Sequence, residues 1–211
     1  MKHSELEVEP QAAAALCGAA LAPMRQFAED IHTWGEELGL VGPRELARLW
    51  TRHLLNSALL AKKLPAGTLA DIGSGAGFPG LVVAVLRPDI HCTLIEPLGR
   101  RANWLTEEAA RLGLTNVTVH NQRAEDVAGH VLVDAVTARA VSALTTLLPI
   151  AIPLLRAGGE LFLMKGHRVD QEVRDAAETM VKWNITTARV EITGPEYETE
   201  ETRIFRATVG K

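Results

Sequence analysis

Only two cysteines occur in the 211 residues, Cys17 and Cys92, far apart and outside any CxxC or Cys/His grouping. A disulfide framework and a structural zinc site are both disfavoured, and no metal is expected. Aromatic residues are scarce: four Trp, four Phe and one Tyr make up 4% of the chain. That argues against a binder of single-stranded nucleic acid that stacks bases on exposed rings. Long apolar runs are missing. The longest weakly polar stretch, Ala12 to Ala22, is mostly alanine and too short to span a bilayer. The opening MKHSELEVEP is acidic and lacks the apolar segment of a secretory signal. The expectation is a cytoplasmic protein with no membrane partner, and a monomer. What remains is an ordinary globular composition, 47% hydrophobic and 23% charged, with no repeats.

The net charge of −4 conceals a pattern. Residues 1–41 hold 2 basic and 7 acidic side chains, 42–168 hold 14 and 10, and 169–211 hold 6 and 9. A basic middle inside an acidic chain is a weak pointer to a polyanionic partner.

The chain divides by texture at residue 66. Residues 1–66 form a helical extension: 11–64 have helical spacing, interrupted at Gly42-Pro43, with a helix predicted from Arg44. On that helix Leu46, Leu49, Trp50 and His53 share an apolar face, and Arg44, Arg48 and Arg52 recur on the other. The arginine stripe is a candidate RNA-phosphate contact or a solvated face. His53, amid apolar neighbours, reads as a hydrogen-bonded core histidine rather than a catalytic one. From residue 67 to 211, strands and helices alternate. Strands are predicted at 68–72, 90–95, 117–120, 132–138, 160–164, 185–192 and 202–209. Helices are predicted to end at Leu86 and to cover 99–113, 142–155 (Ser142 as N-cap, Gly158-Gly159 ending it) and 169–183. Short apolar strands alternating with helices imply a mainly parallel, doubly covered sheet. The last two strands, after the final helix, suggest an antiparallel pairing at one edge.

The segment Asp71-Ile-Gly73-Ser-Gly75-Ala-Gly77-Phe78-Pro-Gly80 follows the first strand and opens a helix. Glycines there let backbone approach a ligand at the carboxyl end of the sheet, where open α/β sheets bind. The Gly75, Gly77 and Gly80 spacing satisfies GxGxxG, so a dinucleotide is one reading. The context favours another. A carboxylate at Asp71 would repel a pyrophosphate but suits a cationic group. Glu96 ends the second strand, placed for ribose hydroxyls. Glu125-Asp126 follow the third, where an adenine edge would lie. Separately, Asp71 could be a loop cap and Glu125 or Asp126 a helix-start residue. Together at successive strand ends they resemble an S-adenosylmethionine site on a Rossmann-like class I methyltransferase fold.

Absences narrow the acceptor. The turn after the fourth strand reads Thr137-Ala-Arg139-Ala-Val141, without the Asn/Asp-Pro-Pro-aromatic sequence common in enzymes that methylate exocyclic amines. Neither cysteine is placed to act as the nucleophile that pyrimidine C5 methylation needs. The rim is instead basic: Arg123, Arg139, Lys165, His167 and Arg168.

GSGAGFPG, Glu96-Pro-Leu-Gly-Arg-Arg101, Arg123-Ala124-Glu125, Thr137-Ala-Arg139-Ala and Met164-Lys165-Gly166 together resemble the ribosomal small-subunit methyltransferase G family, formerly called glucose-inhibited division protein B. The Trp34 segment and Arg52-His53-Leu-Leu-Asn-Ser57 match as well, so the likeness spans roughly residues 24–210. Three departures stand out: Asn56 for the usual Asp, Thr137 for the usual Ser, and no Asn residues around Trp34. The resemblance implies methyl transfer from adenosylmethionine to N7 of one guanine in 16S ribosomal RNA near the decoding site. Its partner would be that RNA, the small subunit or its precursor. It implies Gly73, Phe78, Ala124, Glu125 and Arg139 as cofactor contacts, with Glu96 on the ribose; Asp71, Gly75 and Gly77 complete the loop reading. Arg139 would position cofactor and base, and Lys165 and Arg123 would hold phosphate or the Hoogsteen side of guanine. Each of the three could instead serve an ordinary surface or strand-end ion pair. Two further classes stay open: a small-molecule methyltransferase with the helical extension as a lid, and a non-catalytic RNA-binding or interaction module.

Overall fold

The computed structural model describes residues 5–42, 44–197 and 199–210. Seven strands form one sheet in the order β3-β2-β1-β4-β5-β7-β6. They are β1 (Gly67–Ile72), β2 (Ile90–Ile95), β3 (Val117–His120), β4 (Val133–Arg139), β5 (Leu155–Lys165), β6 (Ile185–Thr193) and β7 (Thr202–Val209). Pairings from β3 through to β5 are parallel, while β7 runs antiparallel to both β5 and β6. This is the α/β class expected. The expected edge pairing takes a particular form: β7 inserts beside β5 and pushes β6 to the edge. Strand order reverses between β1 and β4, which opens a crevice at their carboxyl ends, the usual binding position in such sheets.

Strand burial follows from composition. Leu69, Ala70, Asp71 and Ile72 of β1 and Cys92 to Ile95 of β2 lie under cover on both faces, so the strands read as apolar runs without alternation. One hydrophobic cluster covers the first face. It joins Phe27, Leu54 and Leu60 of the extension to Leu81, Cys92, Leu94 and Trp104 of the sheet and its helices. The second cluster, with Leu147, Leu148, Leu163 and Val169, covers the other face.

The helices are α1 (Ala12–Cys17), α2 (Leu21–Trp34), α3 (Asn56–Ala61), α4 (Gly80–Leu86), α5 (Gly99–Arg111), α6 (Ala124–Val127), α7 (Leu144–Ala151), α8 (Val169–Asp175) and α9 (Ala177–Lys182). Four expectations need correction. No single α-helix runs on from Arg44: a 3-10 turn (Leu46–Arg48) and a π-helical segment (Leu49–Leu55) precede α3. Leu49, Trp50, His53, Leu54 and Leu55 are all buried, a wider apolar arc than one α-helical stripe supplies. The π turn also takes Arg48 and Arg52 out of the four-residue repeat. Second, Ser142 does not cap α7. Ala143 holds the N-cap position, and the Leu144 N–H donates to Glu172 instead, at 3.1 Å. Third, Gly158 and Gly159 lie inside β5, beside an irregular step in its pairing with β4. Fourth, the last helix is two, broken at the fully buried Ala176. The Pro43 half of the Gly42-Pro43 break lies outside the described residues.

Candidate active site

A cleft of about 1260 Å³ opens at the carboxyl ends of β1, β4 and β5. Its floor is the loop between β1 and α4. Gly73 adopts φ +68°, and a Cβ there would sit 3.1 Å from Val141, so both the backbone conformation and the space call for glycine. Gly80 is demanded by closeness: a Cβ would collide with Leu94 and stand 2.6 Å from Asp71 Oδ2. Trp104 Nε1 donates to Ala76 O at 3.0 Å and pins the loop to α5. Gly75 and Gly77 also have positive φ, and Gly73, Gly75 and Phe78 line the cleft.

Asp71 lies beneath this loop, fully buried. Its Oδ2 accepts the Gly80 N–H at 3.0 Å, while Oδ1 has no hydrogen-bond partner among the described residues. Burial pushes its carboxyl up to about 7, against the pull of Ser74, the Gly80 N–H and Arg139. An orphaned buried carboxylate oxygen suits a cationic group brought nearby. Glu96 caps β2 at 3% exposure; its Oε2 accepts Gly75 N–H and its Oε1 accepts Leu98 N–H, both at 2.9 Å. Thus Glu96 braces the glycine loop, which sequence reasoning did not foresee. Ala124 is buried at the start of α6, with Glu125 exposed in its first turn and Arg123, also exposed, at its N-cap. None of these three lines the 1260 Å³ cleft; they follow β3 in sequence, and Ala124 packs into the hydrophobic cluster on the second face of the sheet.

The opposite wall is assembled from distant segments. Arg139, the last residue of β4, sets its guanidinium 5.1 Å from the Phe78 ring centroid. Its Nη2 lies 2.6 Å from His53 Nδ1 and its Nη1 donates to Arg52 O at 3.3 Å. Burial holds its pKa down to about 10, with Asp71 opposing. His53 stacks against Phe78 at 5.1 Å and meets Glu45 Oε2 through Nε2 at 2.6 Å. Burial, then Arg139, depress its pKa to about 4, so the ring is neutral at physiological pH. His53 is the hydrogen-bonded histidine expected, but its partners face the cleft. Glu45 and His53 were missed as site residues because nothing local joins them to Arg139.

Lys165 ends β5 at the cleft wall with a side chain 8% exposed. Its Nζ lies 2.6 Å from Glu172 Oε2 and donates to Ser142 O at 2.7 Å. It clamps the β4–α7 loop to α8. The arginine stripe is likewise engaged: Arg48 pairs with Glu200 at 2.5 Å and Arg52 with Glu45 at 3.3 Å. Thr137, one of the departures, keeps a hydroxyl that donates to Phe162 O at 2.7 Å. Asn56, another, lines the cleft with its buried Oδ1 unpartnered among the described residues. Among the described residues no group of His, Cys, Asp and Glu could hold a metal ion, and no helix is long and apolar enough to cross a membrane.

A parallel sheet with an inserted antiparallel β7 and a glycine loop after β1 is the architecture of class I methyltransferases. Solved structures share it. A methyltransferase from Pyrococcus furiosus superposes with TM-score 0.60 at 12% identity, over 75% of this chain and 83% of that one. An rRNA methylase from Streptococcus thermophilus gives 0.52 at 16%, over 74% and 95%. These likenesses establish the fold. The family model described as rRNA small subunit methyltransferase G matches residues 20–199. Proteins named ribosomal RNA small subunit methyltransferase G are similar over nearly their whole length. The one from Clavibacter sepedonicus is 48% identical over 208 residues, 99% of each chain. That from Leifsonia xyli subsp. xyli is 50% identical over 204 residues, 97% of this chain and 98% of its own. The chain belongs to the rRNA small subunit methyltransferase G family.

Proposed function

We propose that this chain transfers the methyl group of S-adenosylmethionine to N7 of a specific guanine in 16S ribosomal RNA. One observation carries the reading: the glycine loop and a cleft-facing arginine that makes no ion pair among the described residues meet at the switch point. When bound, adenosylmethionine supplies an electrophilic methyl on a sulfonium. The residues present fit it. Gly73, Gly75, Gly77 and Phe78 would cradle it, Asp71 would favour its positive charge, and Glu96, Ala124 and Glu125 would hold its nucleoside end. Guanine N7 offers an in-plane lone pair and needs no deprotonation, so a general base is unnecessary. The two candidate bases beside Arg139 on the cleft wall are engaged: the His53 lone pair faces Arg139, and Glu45 faces His53 and Arg52. The protein's task is alignment, which can supply up to about 7–11 kcal/mol of a barrier. Arg139 would orient cofactor and base. Arg123 would meet RNA phosphate, and Lys165 would hold the wall against which the base docks.

We read residues 1–66 as a cap, 67–211 as the methyltransferase unit, and the protein as a cytoplasmic monomer that needs no metal. The shared hydrophobic cluster speaks against the extension as a swinging lid over a small molecule. The test is methyl transfer from tritiated adenosylmethionine to small subunits and to naked 16S RNA from cells lacking this activity. Borohydride and aniline treatment then cleaves the RNA chain at 7-methylguanosine. One cleavage stop that depends on the protein is expected. Label in RNA without a stop would place the methyl on another atom; label only in small molecules would overturn the RNA substrate.

A further inference from the structure

We propose that His53, set in its Nε2–H tautomer by Glu45, is a positioning residue that holds the Arg139 guanidinium toward the cleft. The inference rests on the methyltransferase reading and deepens it.

The direction of the hydrogen bonds is forced. Arginine only donates, so the His53 Nδ1 that faces Arg139 Nη2 at 2.6 Å must present its lone pair. The ring proton then sits on Nε2, which faces Glu45 Oε2 at 2.6 Å, an acceptor. Arg139 therefore donates to His53, and His53 donates to Glu45. The charged groups around the ring are Glu45 and Arg52 from the extension and Arg139 from β4, with Asp71 of β1 acting on Arg139. Burial and both arginines keep the ring neutral, which the relay requires.

An imidazole does here what a carboxylate could not. Among the described residues Arg139 makes no ion pair; its neighbours are a histidine lone pair, the Arg52 carbonyl and the Phe78 ring. A carboxylate in place of His53 would fix the guanidinium and also cancel its charge. The neutral ring fixes it and leaves the charge for a ligand. Precision comes from packing: His53 is 8% exposed and rests on Phe78, which rests in turn on Phe27 at 5.3 Å. The π turn that carries His53 thus couples the extension to the tip of β4.

Two measurements test this. Long-range 1H–15N correlation spectra of the intact protein at pH 7 should show a neutral His53 protonated at Nε2. A ring protonated at Nδ1, or a cationic ring, would overturn the proposal whatever the substrate proves to be. The second compares variants. His53→Asn can place Oδ1 where Nδ1 stood and keep an acceptor for Arg139; His53→Phe keeps the packing and removes the acceptor. S-adenosylhomocysteine affinity or kcat/KM should fall about 10- to 100-fold in His53→Phe, the range for losing a hydrogen bond to a charged group. At least a few-fold should return in His53→Asn. Equal values in the two variants would mean that the histidine only fills space. Failure of the wild type to methylate RNA would instead indict the function, since the spectra and the S-adenosylhomocysteine affinity read the relay independently.

Discussion

The two walls of the cleft are built by opposite means. The wall from β1 to β3 is local: loop, strand end and helix start are contiguous, and its fixed donors are backbone N–H groups from Gly75, Gly80 and Leu98 held by Glu96 and Asp71. The wall from β4 to β5 is non-local: Arg139 reaches back 86 residues to His53, and Lys165 reaches 23 residues back to Ser142. The first presents shaped backbone and buried carboxylates, while the second presents cations locked into side-chain networks. A backbone wall suits a constant ligand; on the other wall Glu45, Glu172 and Glu200 balance Arg52, Lys165 and Arg48, and the charge left for a ligand is that of Arg139.

The largest expected effect lies on the wall from β4 to β5. Lys165→Ala leaves Glu172 and the Ser142 carbonyl without their buried cation. Because Glu172 is 23% exposed, the loss should fall at the low end for a broken buried pair, about 3 kcal/mol. Urea unfolding checks it, and an unchanged midpoint would make Lys165 a surface cation free for RNA. On the backbone wall, Gly80→Ala should cost about 1–3 kcal/mol through overpacking against Leu94 and Asp71. If it melts like the wild type, the loop is not closely packed.

Glu96→Ala should weaken S-adenosylhomocysteine binding about 10- to 100-fold, by calorimetry, through loss of charged hydrogen bonds. Glu96→Gln, which keeps an acceptor for the loop, should lose less; equal losses would divorce bracing from binding. A comparable effect separates the walls by pH. Asp71 titrates near 7 when folded and near 3.8 when unfolded, so the native state binds the extra proton. Its contribution to stability is full below pH 3.8 and is lost as pH rises toward 7. Asp71→Asn keeps an acceptor for Gly80, so its stability relative to wild type should increase between pH 5 and pH 8. A difference independent of pH would show that Asp71 is ionised throughout. Least of all, Arg48→Ala, at an exposed pair with Glu200, should leave the urea midpoint almost unchanged, and a clear drop would show that this pair ties the extension to the sheet.

The same division explains what could be read from the sequence. Strands β2, β3 and β7 match their predicted spans end to end, because each is a short run rich in β-branched residues between turn residues. The glycine loop, Asp71 and Glu96 were legible because each follows directly from a strand end. The π-helical segment was not: its apolar positions fit an α-helical stripe equally well, and burial on an extra side decided the outcome. The Glu45–His53–Arg139 relay was invisible because two of its members belong to the extension and the third to the sheet. Ser142 looked like a cap by residue type, yet Glu172, from a later helix, took that role by tertiary contact.

A cleft whose walls share one hydrophobic core has no hinge. Phe27 and Leu54 from the extension sit in the same cluster as Leu81 and Leu94 beneath the glycine loop, so neither wall swings away without exposing that core. The rearrangement needed for catalysis then falls on the nucleic acid. For the proposed reaction the guanine must leave its stack and enter a preformed slot, at a cost of a few kcal/mol that is least where the base is already loose. Substrate selection would therefore be exerted by how readily each RNA site deforms, with the enzyme acting as a fixed gauge.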